Sequence, residues 1–290
     1  MIGKINILAG TTASGKTKYA VELAKQIGAV IINCDSMQVY QEIPILTAQP
    51  TLEEKQGIEH RLFGMVPCDK EFNVGVWLEL AVKEIKELLA SGKTPLLVGG
   101  TGLYIKSLVE GISELPEISD QTKLQVVELQ AGCTTFQLYA KLLELDPVAK
   151  DRIKSGDTQR ILRALAVVIE TGKSIFTWQA NARIAKFFPR NSFYLMWLKK
   201  PRETVYDNIN QRFLQMVELG AVEEVKKLYQ QKRGKNLPRA HGLPEIIKYL
   251  QGEMGLDEAI AVAQKNTRHY AKRQITFFNH QLKFDHVIEG

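Results

Sequence analysis

Gly10-Thr11-Thr12-Ala13-Ser14-Gly15-Lys16-Thr17 fits the pattern Gly-x-x-x-x-Gly-Lys-Ser/Thr. Its glycines let backbone N–H groups point into a phosphate-sized hollow, Lys16 supplies a mobile positive charge, and the Thr17 hydroxyl is a hard oxygen suited to Mg²⁺. Such a loop binds a diphosphate or triphosphate. Two further groups could act beside it: Asp35, which follows the apolar run Ala29 to Asn33, and Thr101, within Gly99-Gly100-Thr101-Gly102 after Pro95 to Val98. The second glycine-rich run lacks the terminal Asp that usually helps hold Mg²⁺ in phosphate-loop hydrolases. Asp35 could be that metal partner or could be a base, and the residues alone leave both roles open. A phosphate-loop kinase acting on a nucleoside or small metabolite is compatible with this set.

These residues need elements that bring them together. Ile5 to Ala9, Ala29 to Asn33 and Pro95 to Val98 are short apolar runs alternating with helical periodicity over Thr17 to Ile27 and Val76 to Ala90. Strands alternating with helices predict a parallel α/β sheet. In such a sheet the carboxyl ends of the strands share one edge, where the phosphate loop, Asp35 and Thr101 can converge. After Leu115-Pro116 the pattern turns helical without convincing strands: Thr135 to Leu145, a start at Pro147, then a helix capped by Asp157 and running to Gly172. We therefore expect a core over residues 1–117 and 193–290 with an inserted all-helical domain over 118–192. Phe193 to Leu198 reads as a strand returning to the sheet, Pro201 to Gln231 and Leu243 to Phe278 as mostly helical, and Phe284 to Ile288 as a last short strand.

The composition of the 290 residues, 45% hydrophobic and 24% charged, excludes a disordered or fibrous chain. No apolar run approaches the roughly 18 to 20 residues of a membrane span. Met1 to Gly10 reads as a strand, not as a secretory leader, and a cytoplasmic monomer with no membrane partner is expected. Cys34, Cys68 and Cys133 are scattered and imply reduced thiols, not a disulfide frame or zinc site. Residues 1–117 hold 11 basic and 14 acidic side chains, 118–192 hold 11 and 7, and 193–290 hold 16 and 11. The positive excess lies outside the first segment, where a polyanionic partner would engage. Helical spacing sets Ile161, Leu162 and Leu165 on one side of their helix and Gln159, Arg160 and Arg163 on the other. Late in the chain, Thr267-Arg268-His269-Tyr270-Ala271-Lys272-Arg273-Gln274 has basic side chains, an interleaved aromatic and no acid, a composition suited to nucleic acid.

Taken together, the chain resembles the tRNA dimethylallyltransferase family, the enzymes that prenylate N6 of the adenosine beside the anticodon (position 37). The resemblance rests on the phosphate loop, Asp35-Ser36-Met37-Gln38-Val39-Tyr40, Thr47 to Pro50, Gly57 to Leu62, Pro95 to Tyr104, Asp157 to Leu165, Ile209 to Arg212, and Thr267 to Gln274 followed by Phe277-Phe278. It spans nearly the whole chain, and the pairing of the Asp35 to Tyr40 and Val98 to Tyr104 motifs is specific to it. The chain departs from the usual pattern at Thr11, Leu46, Arg61, Lys123, His241 to Leu243 and Phe277.

The resemblance implies a fold with a P-loop NTPase-like core, a parallel sheet with flanking helices. It implies that Gly10 to Thr17 bind the diphosphate of dimethylallyl diphosphate, with Arg212 near it and Mg²⁺ on Thr17 as cofactor. Asp35 is then the candidate base for the N6 proton and Thr101 a hydroxyl contact to the adenine or the reacting centre. Contacts to the tRNA anticodon stem-loop are implied for Asp35, Ser36, Met37, Gln38 and Thr101, for Lys123 where the family usually has Arg, and for Gln159, Arg160, Ile161, Leu162 and Arg163. A nucleotide-gated RNA-binding protein without chemistry would keep the basic faces but would not require Asp35 beside the diphosphate.

Overall fold

A computed structural model of the chain describes residues 3–113, 115–181, 184–232 and 235–290. The chain forms two compact units, the first from Met1–Glu110 with Phe187–Gly290 and the second from Gly111–Lys186.

In the first unit the elements run β1 (Ile5–Gly10), α1 (Lys16–Ile27), β2 (Ala29–Asn33), α2 (Leu52–Lys55), β3 (His60–Arg61), α3 (Val74–Ala90), β4 (Thr94–Gly99) and α4 (Gly102–Glu110). The second unit holds β5 (Ile112–Ser113), α5 (Asp120–Gly132), α6 (Thr135–Leu145), α7 (Thr158–Thr171), α8 (Ile175–Asn181) and β6 (Ile184–Ala185). The first unit resumes with β7 (Phe193–Lys199), α9 (Arg202–Glu218), α10 (Ala221–Gln231), α11 (Leu243–Leu250), α12 (Leu256–Gln281) and β8 (His286–Glu289).

The six strands of the first unit pair in parallel in the order β3-β2-β4-β1-β7-β8. Parallel sheets are covered on both faces, which is why β1 and β2 are buried at every residue instead of alternating. β4 lies between β1 and β2, with Leu96 beside both Asn6 and Ile31. The carboxyl ends of β1, β2 and β4, bearing the phosphate loop, Asp35 and Thr101, are thereby adjacent. α3 starts at Val74, ahead of the Val76 expected from periodicity, because the Asn73 side chain caps the N–H groups of Gly75 and Val76. It brings in Trp77, fully buried, whose indole N–H donates to the Asn33 carbonyl at 2.9 Å and whose ring stacks on Tyr104 at 4.4 Å. The end of β2, just before Asp35, is fixed by that anchor.

In the second unit Ile161, Leu165 and Val168 of α7 pack with Leu138 and Leu142 of α6 around their own apolar core. Its limits fall before the expected 118 and 192. At the start, Leu115 and Ile118 already belong to the helical core. At the end, Arg190 bonds to Asp285 at 3.1 Å and to the Phe193 carbonyl, which ties the approach to β7 into the first unit. Among its described residues the unit's regular structure is helical apart from the antiparallel pair of β5 with β6, strands of two residues each that alternation cannot register.

Candidate active site

The loop between β1 and α1 is a glycine-shaped hollow. Ala13 at φ +58° and Gly15 at φ +81° adopt left-handed backbone, a geometry that turns successive N–H groups inward. Gly10 has no room for a side chain, since a Cβ there would stand 2.6 Å from the Ser14 hydroxyl. The Ser14 N–H donates to the Thr11 carbonyl at 3.2 Å, and the Lys16 ammonium reaches the same carbonyl at 3.4 Å. Lys16 is buried, and burial pulls its pKa down to about 8; Asp35 opposes that shift and Arg212 adds to it.

Asp35 is half-buried in a turn built by its neighbours. The Asn33 side chain accepts the Asp35 N–H at 2.8 Å and donates to the Asp35 and Leu62 carbonyls, and Asp35 Oδ1 accepts the Met37 N–H at 2.9 Å. Thr101 locks onto the same turn. Its N–H donates to the Cys34 carbonyl, and its hydroxyl accepts the Ser36 N–H at 2.9 Å and meets the Ser36 hydroxyl at 3.3 Å. Such close approach requires Gly99, where a Cβ would lie 2.0 Å from the Cys34 carbonyl oxygen. Thus the phosphate loop, Asp35 and Thr101 meet at one sheet edge.

Two cavities open there and share Arg212 and Ala13. One is polar and runs along Gly15, Lys16 and Thr17 past Asn208 and Gln211. The other has Asp35, Thr12 and Arg212 at its polar side and Leu46, Ile209, Phe213 and Met216 as an apolar wall. Tyr270 and His241 also line it, their rings 4.9 Å apart. Burial and the Asp35 charge push the Tyr270 phenol well above its ordinary value, so it stays protonated. Burial, helped by Arg273, holds His241 below the usual histidine value, and its ring is neutral at pH 7. Arg212 is half-buried; burial lowers its pKa while Asp35 and Glu54 raise it, and a guanidinium remains a cation throughout.

The polar cavity suits a hard cation held jointly with a diphosphate. Among the described residues no cluster of three or more His, Cys, Asp or Glu could hold a metal ion. The Thr17 hydroxyl, which lines that cavity, instead offers the sparse oxygen donor that Mg²⁺ accepts when phosphate and water complete its shell. The residues therefore fit Mg²⁺.

Other residues singled out in the sequence fall into different settings. Gln38 is buried, its amide donates to the Thr47 and Ala48 carbonyls at 3.1 and 2.7 Å and so holds a loop, and the residue lines the polar cavity. Met37 lines the apolar cavity. In the second unit Gln159, Arg160 and Arg163 are exposed on α7 and Leu162 is half-buried. Ile161 is fully buried in the helical core, and its side chain cannot meet a ligand there. Lys123 is exposed and pairs with Asp120 at 2.8 Å.

The basic stretch of α12 divides by face. His269, Lys272 and Arg273 are exposed, while Tyr270 lines the cavity, Gln274 is buried against the loops and Arg268 bonds to Asn210 of α9. Gln274, His241 and Asn208, whose amide donates to the Ala13 carbonyl at 3.1 Å, escape a reading of residue types alone, and Tyr270 stands out there only as an aromatic among charges. The helical spacing of 270 and 274 is the one available signal, masked by the charges around it.

The model of the family described as IPP transferase matches residues 38–281. A tRNA dimethylallyltransferase of Wolbachia sp. subsp. Drosophila simulans (strain wRi) is 46% identical over the whole chain and 97% of its own length. One from Ehrlichia canis (strain Jake) is 41% identical over 97% of this chain and 93% of its own. Among solved structures, the tRNA isopentenylpyrophosphate transferase of Bacillus halodurans superposes with a TM-score of 0.69 at 33% identity, covering 99% of this chain and 90% of that one. A eukaryotic dimethylallyltransferase acting on tRNA superposes with a TM-score of 0.77 at 27% identity, covering 95% and 69%.

Proposed function

The chain belongs to the IPP transferase family, and from that premise we propose that it transfers a dimethylallyl group from dimethylallyl diphosphate to N6 of the adenosine next to the anticodon (position 37) of tRNA, releasing diphosphate. The observation that carries the reading is the pair of adjoining cavities sharing Arg212, one along the phosphate loop and one at Asp35. A donor diphosphate in the first would place its allylic carbon toward the second, where a flipped adenine would present N6.

In this reading the loop N–H groups, Lys16 and Arg212 neutralise charge on the departing diphosphate as the bond between the allylic carbon and oxygen lengthens. The Thr17 hydroxyl would hold Mg²⁺, which would supply charge stabilisation on the phosphate oxygens. Asp35 Oδ1 is occupied by the Met37 N–H, which fixes the carboxylate so that Oδ2 can accept the N6 proton as nitrogen bonds to carbon. Thr101, held by Ser36, orients the base. The apolar wall of Phe213, Met216 and Ile209 keeps water from capturing the electron-poor allylic carbon. Exposed Arg160, Arg163, Gln159 and Lys123 supply phosphate contacts to the tRNA.

The test is incubation of the purified protein with Mg²⁺, dimethylallyl diphosphate and unmodified tRNA carrying adenosine beside the anticodon, followed by nucleoside mass analysis, with ATP and a nucleoside run in parallel. A mass gain on adenosine equal to one dimethylallyl group is the expected result. Its absence, with phosphorylation of the nucleoside instead, would replace this reading with that of a kinase.

A further inference from the structure

The phosphate loop and the turn carrying Thr101 lie on different strands, yet one side chain joins them. Gln274 of α12 is buried, at 4% exposure. Its Oε1 accepts the Thr12 N–H at 2.9 Å, and its Nε2 donates to the Gly100 carbonyl at 2.8 Å. Both ends of the amide are therefore used, one on each loop. The Tyr270 phenol, one helical turn earlier, lies beside the side chains of Gln274 and Thr101. Space is cleared for this bridge: a Cβ on Gly100 would stand 2.2 Å from Gln274 Nε2, and one on Gly102 would stand 2.3 Å from the Phe277 ring.

We propose that Gln274 is a positioning residue that couples the donor loop to the acceptor turn, so that occupation of the phosphate hollow sets the placement of Thr101. The inference rests on the assignment of the loop to a diphosphate. The physical argument is one of register. Thr101 reaches Asp35 through Ser36 and the Cys34 carbonyl, so the Gln274 bridge links the N–H groups that would hold the diphosphate to the turn that holds the base. Displacement of reacting groups by about 1 Å costs on the order of 100-fold in rate, and a bridge of two buried hydrogen bonds is stiff enough to prevent it. Other side chains of similar length cannot replace it. Glu keeps the acceptor but turns an acceptor toward the Gly100 carbonyl, and Met satisfies neither loop.

Two measurements on full-length protein test the coupling, with Gln274→Met and Gln274→Glu as variants. The first is hydrogen exchange with inorganic pyrophosphate as the probe. In wild type, pyrophosphate should slow exchange both in the loop and in residues 99–104. In Gln274→Met the loop should remain protected while protection of 99–104 is lost. The second is steady-state kinetics, where each variant should lose on the order of 100-fold in kcat with less than about threefold change in KM for either substrate. A residue needed only for folding would lower the active fraction and the melting temperature, but once rates are normalised to the folded, pyrophosphate-binding fraction its kcat would return to the wild-type value.

Pyrophosphate-induced protection of 99–104 that survives in Gln274→Met, or wild-type kcat in a folded variant, would overturn the proposal. If one variant fails to fold, the other decides. The two readings fail differently: wild-type protein that responds to pyrophosphate in both segments but prenylates no tRNA would refute the proposed reaction and leave the coupling standing. Wild type with no response in either segment would refute the phosphate site and the coupling with it.

Discussion

Lys16 offers a quantitative handle on the phosphate site. Burial holds its pKa at about 8, against 10.5 for the free side chain. At 1.36 kcal/mol per unit, keeping this ammonium charged in the empty loop costs about 3 kcal/mol. Its hydrogen-bond acceptor is the Thr11 carbonyl at 3.4 Å. A diphosphate reverses the situation by bringing anionic oxygens to the ammonium, which raises its pKa, so that binding above pH 8 must draw a proton from solution. Affinity for dimethylallyl diphosphate should be nearly flat below about pH 7.5 and should fall as pH rises through 8, reaching about tenfold weaker at about pH 9, where roughly one lysine in ten is charged before binding. Titration calorimetry in buffers of different ionisation enthalpy reads both the affinity and the proton uptake. Lys16→Met is the control, expected to bind more weakly at pH 7 and to lose this slope. The folded pKa is depressed, so the related stability is present above 10.5 and is lost as pH falls toward 8. Lys16→Met should accordingly stabilise the ligand-free protein at pH 7, by up to about 3 kcal/mol, with the gain vanishing near pH 10.5. Equal slopes in the two proteins between about pH 7 and 9.5, or proton release on binding, would refute the reasoning.

Asp35→Asn keeps the shape and can still bond to the Met37 N–H only through its remaining oxygen, while losing the base; turnover should drop by about 10² to 10⁴ with tRNA affinity kept within a few-fold, measured by single-turnover prenylation and filter binding. Retained turnover would remove Asp35 from the role of base. Replacing Arg160 and Arg163 by Gln should weaken tRNA binding and reduce the slope of log affinity against log salt by about 0.7 to 0.9 for each phosphate no longer neutralised; an unchanged slope would move the tRNA face elsewhere. Gly99→Ala would push a methyl to 2.0 Å from the Cys34 carbonyl, and the strand ends must part, costing about 3 kcal/mol or more in denaturant titration. A wild-type midpoint would contradict the close packing of β2 against β4.

The parts of the fold visible in the sequence are those with local causes. β2 spans the expected Ala29–Asn33, and β1 and β4 extend the expected runs only slightly, because a strand covered on both faces is a short unbroken apolar run. Asp157 caps α7 and Gly172 ends it in left-handed backbone, as residue type alone suggests. β3, β5 and β6 have two residues each, too few for any period to show, and they exist because neighbouring chain offers hydrogen-bond partners. The edges of the helical unit are hidden for a similar reason: Arg190 looks like part of a basic segment until its partner Asp285, distant in sequence, is known.

The candidate site is legible where backbone and chemistry coincide and obscure where they separate. The glycine and lysine spacing of residues 10–17 specifies a loop by itself, and Asp35 and Thr101 follow because parallel strands deliver their carboxyl ends to one edge. Gln274 cannot be found this way, since its bond to Thr12 joins residues 262 positions apart. Charge alone draws attention within Thr267 to Gln274 to Lys272 and Arg273, which face solvent. The residues that reach the cavity and the two loops are the neutral ones on the opposite face, Tyr270 and Gln274, spaced four apart on one helix side. Composition alone thus does not separate a helix suited to nucleic acid from one that packs on a sheet edge, and on α12 the difference lies in which face the loops cover. The same physics divides α7: one turn puts the side chains of Arg160 and Arg163 in solvent because those of Ile161 and Leu165 are held in the core.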